Sequence, residues 1–454
     1  MIELARRAVE ATVGAGAGAA EAYASEDAGR EVRAHGGAVE SLTAATRRGI
    51  GVRAWIGQRA GYAYGTDLSD AGIRELAARA AETARIADED EFAGPPELPV
   101  RLSPDMRGES APELRDPSIG EWSSRDVAAL ALRIEEAALA ADRRVAAVEQ
   151  AVYADSVERV AIASSTGVEA EYERTSCYGY TQALAEGEGA RETGLGFGLG
   201  RGPAALDPVR IGAEAAARAT EMIGAGKPSS RGCPVVLDAT VAASFVALIG
   251  RALGADAVQR GRSPFAGLAG EVVADDAFVV HDDGLDPEGS SSAPVDGEGI
   301  PRRRLALIEN GALRTFLYDT YTARRAGTAS TGSASRGGYR SQPSVGASNL
   351  IVASGELDLD GLLAQAGDGV LVTDVAGLHS GVNPVTGVFS VGASGLAIRG
   401  GETAEPLREF TIASDLVSML KAVRAAGSAA RWVPFGGSVR TPPLLIGEMT
   451  VAGS

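Results

Sequence analysis

A run of glycine, proline and serine, Gly224-Ala-Gly-Lys-Pro-Ser-Ser-Arg-Gly232, interrupts the chain near its middle and constrains its fold more than any other feature. It has the composition of a linker, and beyond it the chain starts afresh with an apolar strand expected over 233–237. At 454 residues the polypeptide exceeds what one hydrophobic core normally supports. Two domains are therefore expected, 1–225 and 232–454.

Apolar periodicity fills in the first half. Amphipathic helices are predicted over 2–12, 71–86, 124–142 and 207–225, the second behind the N-cap cluster Asp67-Leu-Ser69 and the third behind Ser124. Strands are expected over 20–25, 31–35, 39–45 and 49–56, where Ile50, Val52, Ala54 and Ile56 share one face. A meander follows over 145–153, 159–164, 167–184 and 194–200, with Ser165-Thr-Gly167 as a hairpin turn. Residues 88–118 are rich in Pro, Asp and Glu and read as a long surface connection. In the second half one helix, 239–253, is followed by many short strands and glycine turns. Strict βαβα alternation is absent, so the fold class is α+β, with mixed or antiparallel sheets and packed helices.

Composition narrows the function. The net charge is −17 and the basic residues are scattered, so a nucleic-acid partner is not expected. Two cysteines, Cys177 and Cys233, form no CxxC pair, which fits a reducing compartment. No run of eighteen apolar residues crosses a membrane and the first residues do not read as a signal peptide, so a cytoplasmic protein is expected.

The chemistry-bearing motifs are weak one by one. Gly194-Leu-Gly-Phe-Gly-Leu-Gly200 lacks the helix that a dinucleotide fingerprint must open, because Gly202-Pro203 intervenes, and reads as a glycine-rich strand end. His281-Asp-Asp-Gly-Leu-Asp-Pro-Glu288 has metal-type donors without the ordered spacing of a calcium loop. His379 lies near Asp374 and Ser380, but adjacent Ser and His rarely meet in triad geometry. Cys177, within a strand-like run, reads as a small buried apolar residue. With His35 these are the only histidines, and they are far apart in the chain, so three ligands around an open position cannot be drawn.

Several segments taken together are more telling. They are Arg48-Gly-Ile-Gly-Val-Arg-Ala-Trp55, Gly297-Glu-Gly-Ile-Pro301, Ile308-Glu-Asn-Gly311, Tyr318-Asp-Thr-Tyr-Thr-Ala-Arg324, Ser330-Thr-Gly-Ser333 and Val382-Asn-Pro-Val-Thr-Gly-Val-Phe-Ser-Val-Gly-Ala-Ser-Gly395. Through them, over almost its whole length, the chain resembles the TldD/PmbA family and within it the PmbA (TldE) branch. The resemblance implies a two-domain α+β protein that pairs with a TldD-like subunit or with itself. In that family the catalytic subunit carries an HExxxH helix that, with a later cysteine, binds the metal and cleaves unfolded peptides.

By the order of elements the corresponding segment here is 244–256. Val246 and Ala247 take the places of the first histidine and the glutamate, and Arg251 that of the second histidine. The resemblance thus implies a subunit with no catalytic residue and no metal or other cofactor of its own, the zinc or other divalent metal being held by the partner. Asn383, Thr386, Phe389, Ser390 and Ser394 are candidate peptide-binding residues, because a glycine-punctuated strand with small polar side chains lets an extended peptide add by backbone hydrogen bonds. Two other readings stay open: a self-sufficient homodimeric hydrolase using an unusual site around His281 or His379, and a non-enzymatic binding or regulatory protein, in line with the family's historical association with DNA gyrase modulation.

Overall fold

The computed structural model describes residues 1–96 and 113–453. Residues 97–112, the middle of the expected connection over 88–118, lie outside the described residues, as does Ser454.

The first half is one antiparallel sheet. Its strands are β1 (Ala19–His35), β2 (Ala38–Ile56), β3 (Arg59–Gly65), β4 (Val145–Ser164), β5 (Glu169–Gly187) and β6 (Ala190–Gly200), in the order β3-β2-β1-β4-β5-β6. Four helices cover one face: α1 (Ile2–Gly14), α2 (Asp70–Ile86), α3 (Ser124–Ala141) and α4 (Pro208–Glu221). Leu4, Val9, Ile73 and Leu76 of α1 and α2 are buried with Ala20, Ala22 and Ala24 of β1, and Val127, Leu130 and Ile134 of α3 with Val32 and Ala34. Each large aliphatic side chain withdrawn from water there contributes about 1.5–3 kcal/mol. The opposite face, carrying Tyr23 and Ile162, packs against Val295 and Tyr339 of the second half.

The strands run longer than the alternation predicts. Segments 20–25 and 31–35 are one strand, as are 39–45 and 49–56, because β1 is paired on both sides through the polar middle that looks like a break. Gly49 does not mark a turn: a Cβ there would lie 2.4 Å from the ring of Tyr339, so glycine is needed for close approach. Gly196 in β6 is explained in the same way, its missing Cβ falling 2.0 Å from the Ile211 carbonyl of α4. The glycine-rich run is a strand on which a helix lies close, with no dinucleotide turn.

Beyond the joint, β7 (Arg231–Leu237) runs parallel to Gly369–Ala376 and antiparallel to Leu444–Ala452. Val388–Arg399 and Glu402–Asp415 continue the sheet, and Thr411–Ala413 pair with Thr450–Ala452, closing five strands into a small barrel. A second mixed sheet contains Val280–Asp283, Arg304–Glu309, Asn349–Val352 and Ser438–Thr441. Between barrel and sheet lies α5 (Ala239–Ala252), started by Asp238, whose carboxylate accepts from Val241 N at 2.7 Å. The molecule is α+β, with antiparallel and mixed sheets as expected. No helix among the described residues is long and apolar enough to cross a membrane.

Candidate functional site

Two neighbouring cavities share the lining residues Asp256 and Val345. The first, about 420 Å³, is walled by one stripe of α5 and its exit, Ala247, Gly250, Arg251 and Gly254, and by Val345–Leu350 and Gly436–Val439. Helical spacing puts these residues on one face. Gly250 has no room for a side chain, since its Cβ would meet Leu350 Cδ1 at 2.4 Å. Val246 is buried on the neighbouring face, 1% exposed, and Ala247 is 4% exposed.

Arg251 is the only cation lining this cavity, and its guanidinium has no hydrogen-bond or ion-pair partner among the described residues. It also stands in the last turn of α5, where a positive charge complements the helix dipole. Of the lining residues, only Asp256 could donate to a metal. Zinc is held by cysteine, histidine, aspartate and glutamate, usually three or four together. The α5 wall does not fit such an ion, and among the described residues no group of three or more such side chains is gathered anywhere.

The second cavity, about 410 Å³, shares Asp256 and Val345 with the first and lies where the two halves meet. Its floor is a buried ion network. Arg53 of β2 donates to Glu21 of β1 through Nε at 3.1 Å and to Glu298 through both Nη atoms at 3.2 Å. Arg336 reaches Glu21 at 2.5 Å and stacks 4.6 Å over the ring of Tyr23. Burial alone would push the Glu21 carboxyl up, but the two guanidiniums more than offset it and hold it below the ordinary range. Glu298 also accepts from Thr320 N at 2.9 Å.

Beside this network Asp296 accepts from the backbone N–H groups of Glu298 and Ile300 at 2.9 Å and of Ala334 at 3.1 Å. Burial, then the nearby Glu298 charge, push its carboxyl up to about 7. Glu21, Arg53, Asp296, Glu298 and Arg336 were not legible as a cluster. Arg53 alternates with Val52 and Ala54, so by period it falls on what reads as the solvent face, and only the second half makes that face an interior.

The residues singled out along the chain are scattered. His281 sits on the strand Val280–Asp283, its imidazole pushed to a lower pKa by burial and then by Arg304. Its neighbour Asp282 accepts from Ser348 N and Asn349 N at 2.8 Å, while Asp283 and Asp286 close turns onto Leu285 N and Glu288 N, so the acidic run is spent on backbone. His379 is exposed in the turn after Gly369–Ala376, where Ser380 donates to Gly377 O at 3.3 Å. Burial raises the Cys177 thiol to about 12, as befits an inert core residue.

The five residues read as a peptide groove do not form one. Phe389 is 1% exposed, its ring 5.0 Å from that of Phe245 on α5. Asn383 accepts from Val385 N and Thr386 N, and Thr386 from Val388 N, so these side chains hold their own turn. Ser390 is exposed and Ser394 half-buried, and none of the five lines either cavity. Both backbone edges of their strand are occupied: Glu402–Asp415 on one side, Gly369–Ala376 and the Gly381–Asn383 turn on the other. An added peptide strand has no open edge there, whereas the α5 cavity and its neighbour offer about 420 and 410 Å³.

The chain thus sets a small closed barrel beside a long antiparallel sheet, with one helix walling a cavity. Three family models cover most of the chain: PmbA/TldA metallopeptidase domain 1 over 20–84, the central domain over 117–223 and the C-terminal domain over 230–453. The chain belongs to the PmbA/TldD family. The metalloprotease PmbA homologue of Haemophilus influenzae is 28% identical over 98% of this chain and 95% of its own length. A protein of known structure from Thermotoga maritima is 25% identical, with a TM-score of 0.87 over 99% of both chains. TldE from Thermococcus kodakarensis shares the fold at a TM-score of 0.90 over 99% of both chains, with 21% identity.

Proposed function

We propose that this chain is the non-catalytic subunit of a heterodimeric TldD/TldE-type metallopeptidase, helping to form the chamber that takes unfolded or modified peptides. The observation that carries the reading is the α5 wall. Val246, Ala247 and Arg251 stand where family resemblance sets the first histidine, the glutamate and the second histidine, and none of the three can ligate a metal or act as a general base at neutral pH. The metal is then zinc or another divalent ion held by a TldD-like partner, and it supplies the Lewis acid when bound there.

This chain's own residues contribute shape and charge. The α5 cavity and the cavity beside it, which share Asp256 and Val345 in their linings, are the surfaces proposed to take an extended chain, and Arg251 offers one fixed positive charge in the first. The proposed compartment is the cytoplasm, and the proposed domains are 1–225 and 232–454. A site built on His281 or His379 finds less support, since one lies in a strand and the other in an exposed turn.

The test is co-expression with a relative that carries HExxxH. The unlike pair is expected to co-purify and to cleave unfolded casein while this chain alone does not. Cleavage by this chain alone, free of any partner, overturns the reading.

A further inference from the structure

Arg251 ends α5, but the carbonyls of that last turn do not call on it. Ile249 O accepts from Leu253 N at 2.9 Å, Arg251 O from Gly254 N at 3.1 Å and Ala252 O from the Ser263 hydroxyl at 2.6 Å. Asp256 lines the same cavity but forms no ion pair with the guanidinium, which pairs with none of the described residues. The turn between the strands Arg431–Val433 and Ser438–Thr441 comes close to it: a Cβ on Gly436 would lie 3.4 Å from Arg251 Nη2. Two further lining residues bring unspent donors. The Gly436 N–H makes no hydrogen bond among the described residues. The buried Ser438 hydroxyl accepts from Ser290 N at 3.2 Å, while its own hydrogen goes to no oxygen among them. A guanidinium, an amide and a hydroxyl, all donors, thus border one space of about 420 Å³.

We propose that the α5 cavity binds a carboxylate of a peptide, held by Arg251 and supported by the Gly436 N–H and the Ser438 hydroxyl. Shape and charge select that group. The planar fork of a guanidinium matches a planar carboxylate through two parallel hydrogen bonds. The lining sets one cation, Arg251, against one acid, Asp256, so a single negative charge is favoured over a phosphate dianion. The peptide as carrier rests on the peptidase reading, whereas the anion site stands on the unspent donors. A C-terminal carboxylate and an Asp or Glu side chain share this chemistry, and suitable probes separate them.

The test is fluorescence polarisation with this chain alone, read apart from any cleavage. Three probes share an N-terminal dansyl group on an alanine–serine hexapeptide: one with a free C-terminus, one amidated, and one amidated with a central glutamate. A probe with a carboxylate is expected to bind about tenfold more tightly than the neutral amide, an advantage that shrinks with added salt. The tighter of the two carboxylate probes identifies the source. Arg251→Met is expected to abolish the advantage, and Arg251→Lys, which keeps the charge without the fork, to restore part of it. Equal binding of all three probes, no binding of any, or an advantage that survives Arg251→Met overturns the proposal. Carboxylate-selective binding together with no cleavage by the unlike pair leaves this site standing and brings down the peptidase reading instead.

Discussion

The two cavities lie side by side, share two lining residues, and are built from opposite materials. Under the second lies a dense set of buried charges, Glu21, Arg53, Glu298 and Arg336, each tied to another and joining the two halves. The first, against α5, is lined mainly by glycine, alanine and aliphatic side chains, with Ser348, Ser438, Asp256 and the Arg251 guanidinium, which is unpaired among the described residues. Buried charge in a cleft usually points to chemistry. Here it ties the two halves of the fold together, while the α5 wall carries few groups that could hold a metal. The lesson is that density of ionisable groups locates what holds this molecule together, and the proposed role rests on the donor-poor wall instead.

The largest effect that would sharpen this contrast is expected from Glu21→Ala. Removing the carboxylate strands Arg53 and Arg336 in a buried setting, at a cost of about 3–5 kcal/mol, read as a fall in Tm and in denaturant midpoint. A loss near zero would show that the network is wet and that the contrast is false.

Asp296→Asn is expected to change pH dependence more than stability at one pH. The folded carboxyl titrates near 7, above its ordinary range, so the stability it contributes is present at low pH and is lost as pH rises towards neutrality. Between about pH 4 and pH 7 wild type should therefore lose more stability through this group than the Asn variant, which does not titrate and whose single amide oxygen keeps the acceptor for Glu298 N and Ile300 N while losing the one for Ala334 N. Parallel Tm profiles for the two proteins would contradict this.

Arg251→Met is expected to leave stability within about 0.5 kcal/mol of wild type, because the guanidinium is exposed and pairs with no described residue. Its effect should appear in KM for casein-derived peptides cleaved by the unlike pair, with kcat little changed, as for a group that binds without taking part in chemistry. A large loss of kcat with unchanged KM would place Arg251 in the reaction and break the contrast from the other side.

Smallest of all is the thiol prediction. Cys177 and Cys233 are both buried, and burial raises both thiols, so a thiol reagent should titrate neither until the protein unfolds. Rapid labelling of one in the native state would reveal an opening that the packing does not predict.

Much of the architecture was legible in the sequence because it rests on local rules. The 3.6-residue period gave α2, α3 and α4 to within a few residues, and alternation gave Ile50, Val52 and Ala54 as one buried face. What escaped depends on partners distant in the chain. Nothing near Gly49 announces Tyr339, and nothing near Glu21 announces Arg336, yet these contacts decide why one residue is glycine and the other can be a buried acid. The barrel closure through Thr411–Ala413 is equally non-local. For the site, the reading of Val246, Ala247 and Arg251 comes from the resemblance alone, since no local pattern in the sequence singles them out. The strand around Phe389 misled because glycine spacing says nothing about whether an edge is already taken.

The most direct test of the central claim is the metal content of the purified complex with a partner carrying HExxxH, measured with each subunit's amount known. One metal ion per pair of unlike subunits, and none retained by this chain when purified by itself, is the predicted result. A stoichiometric ion on this chain alone, or two per pair, would contradict it.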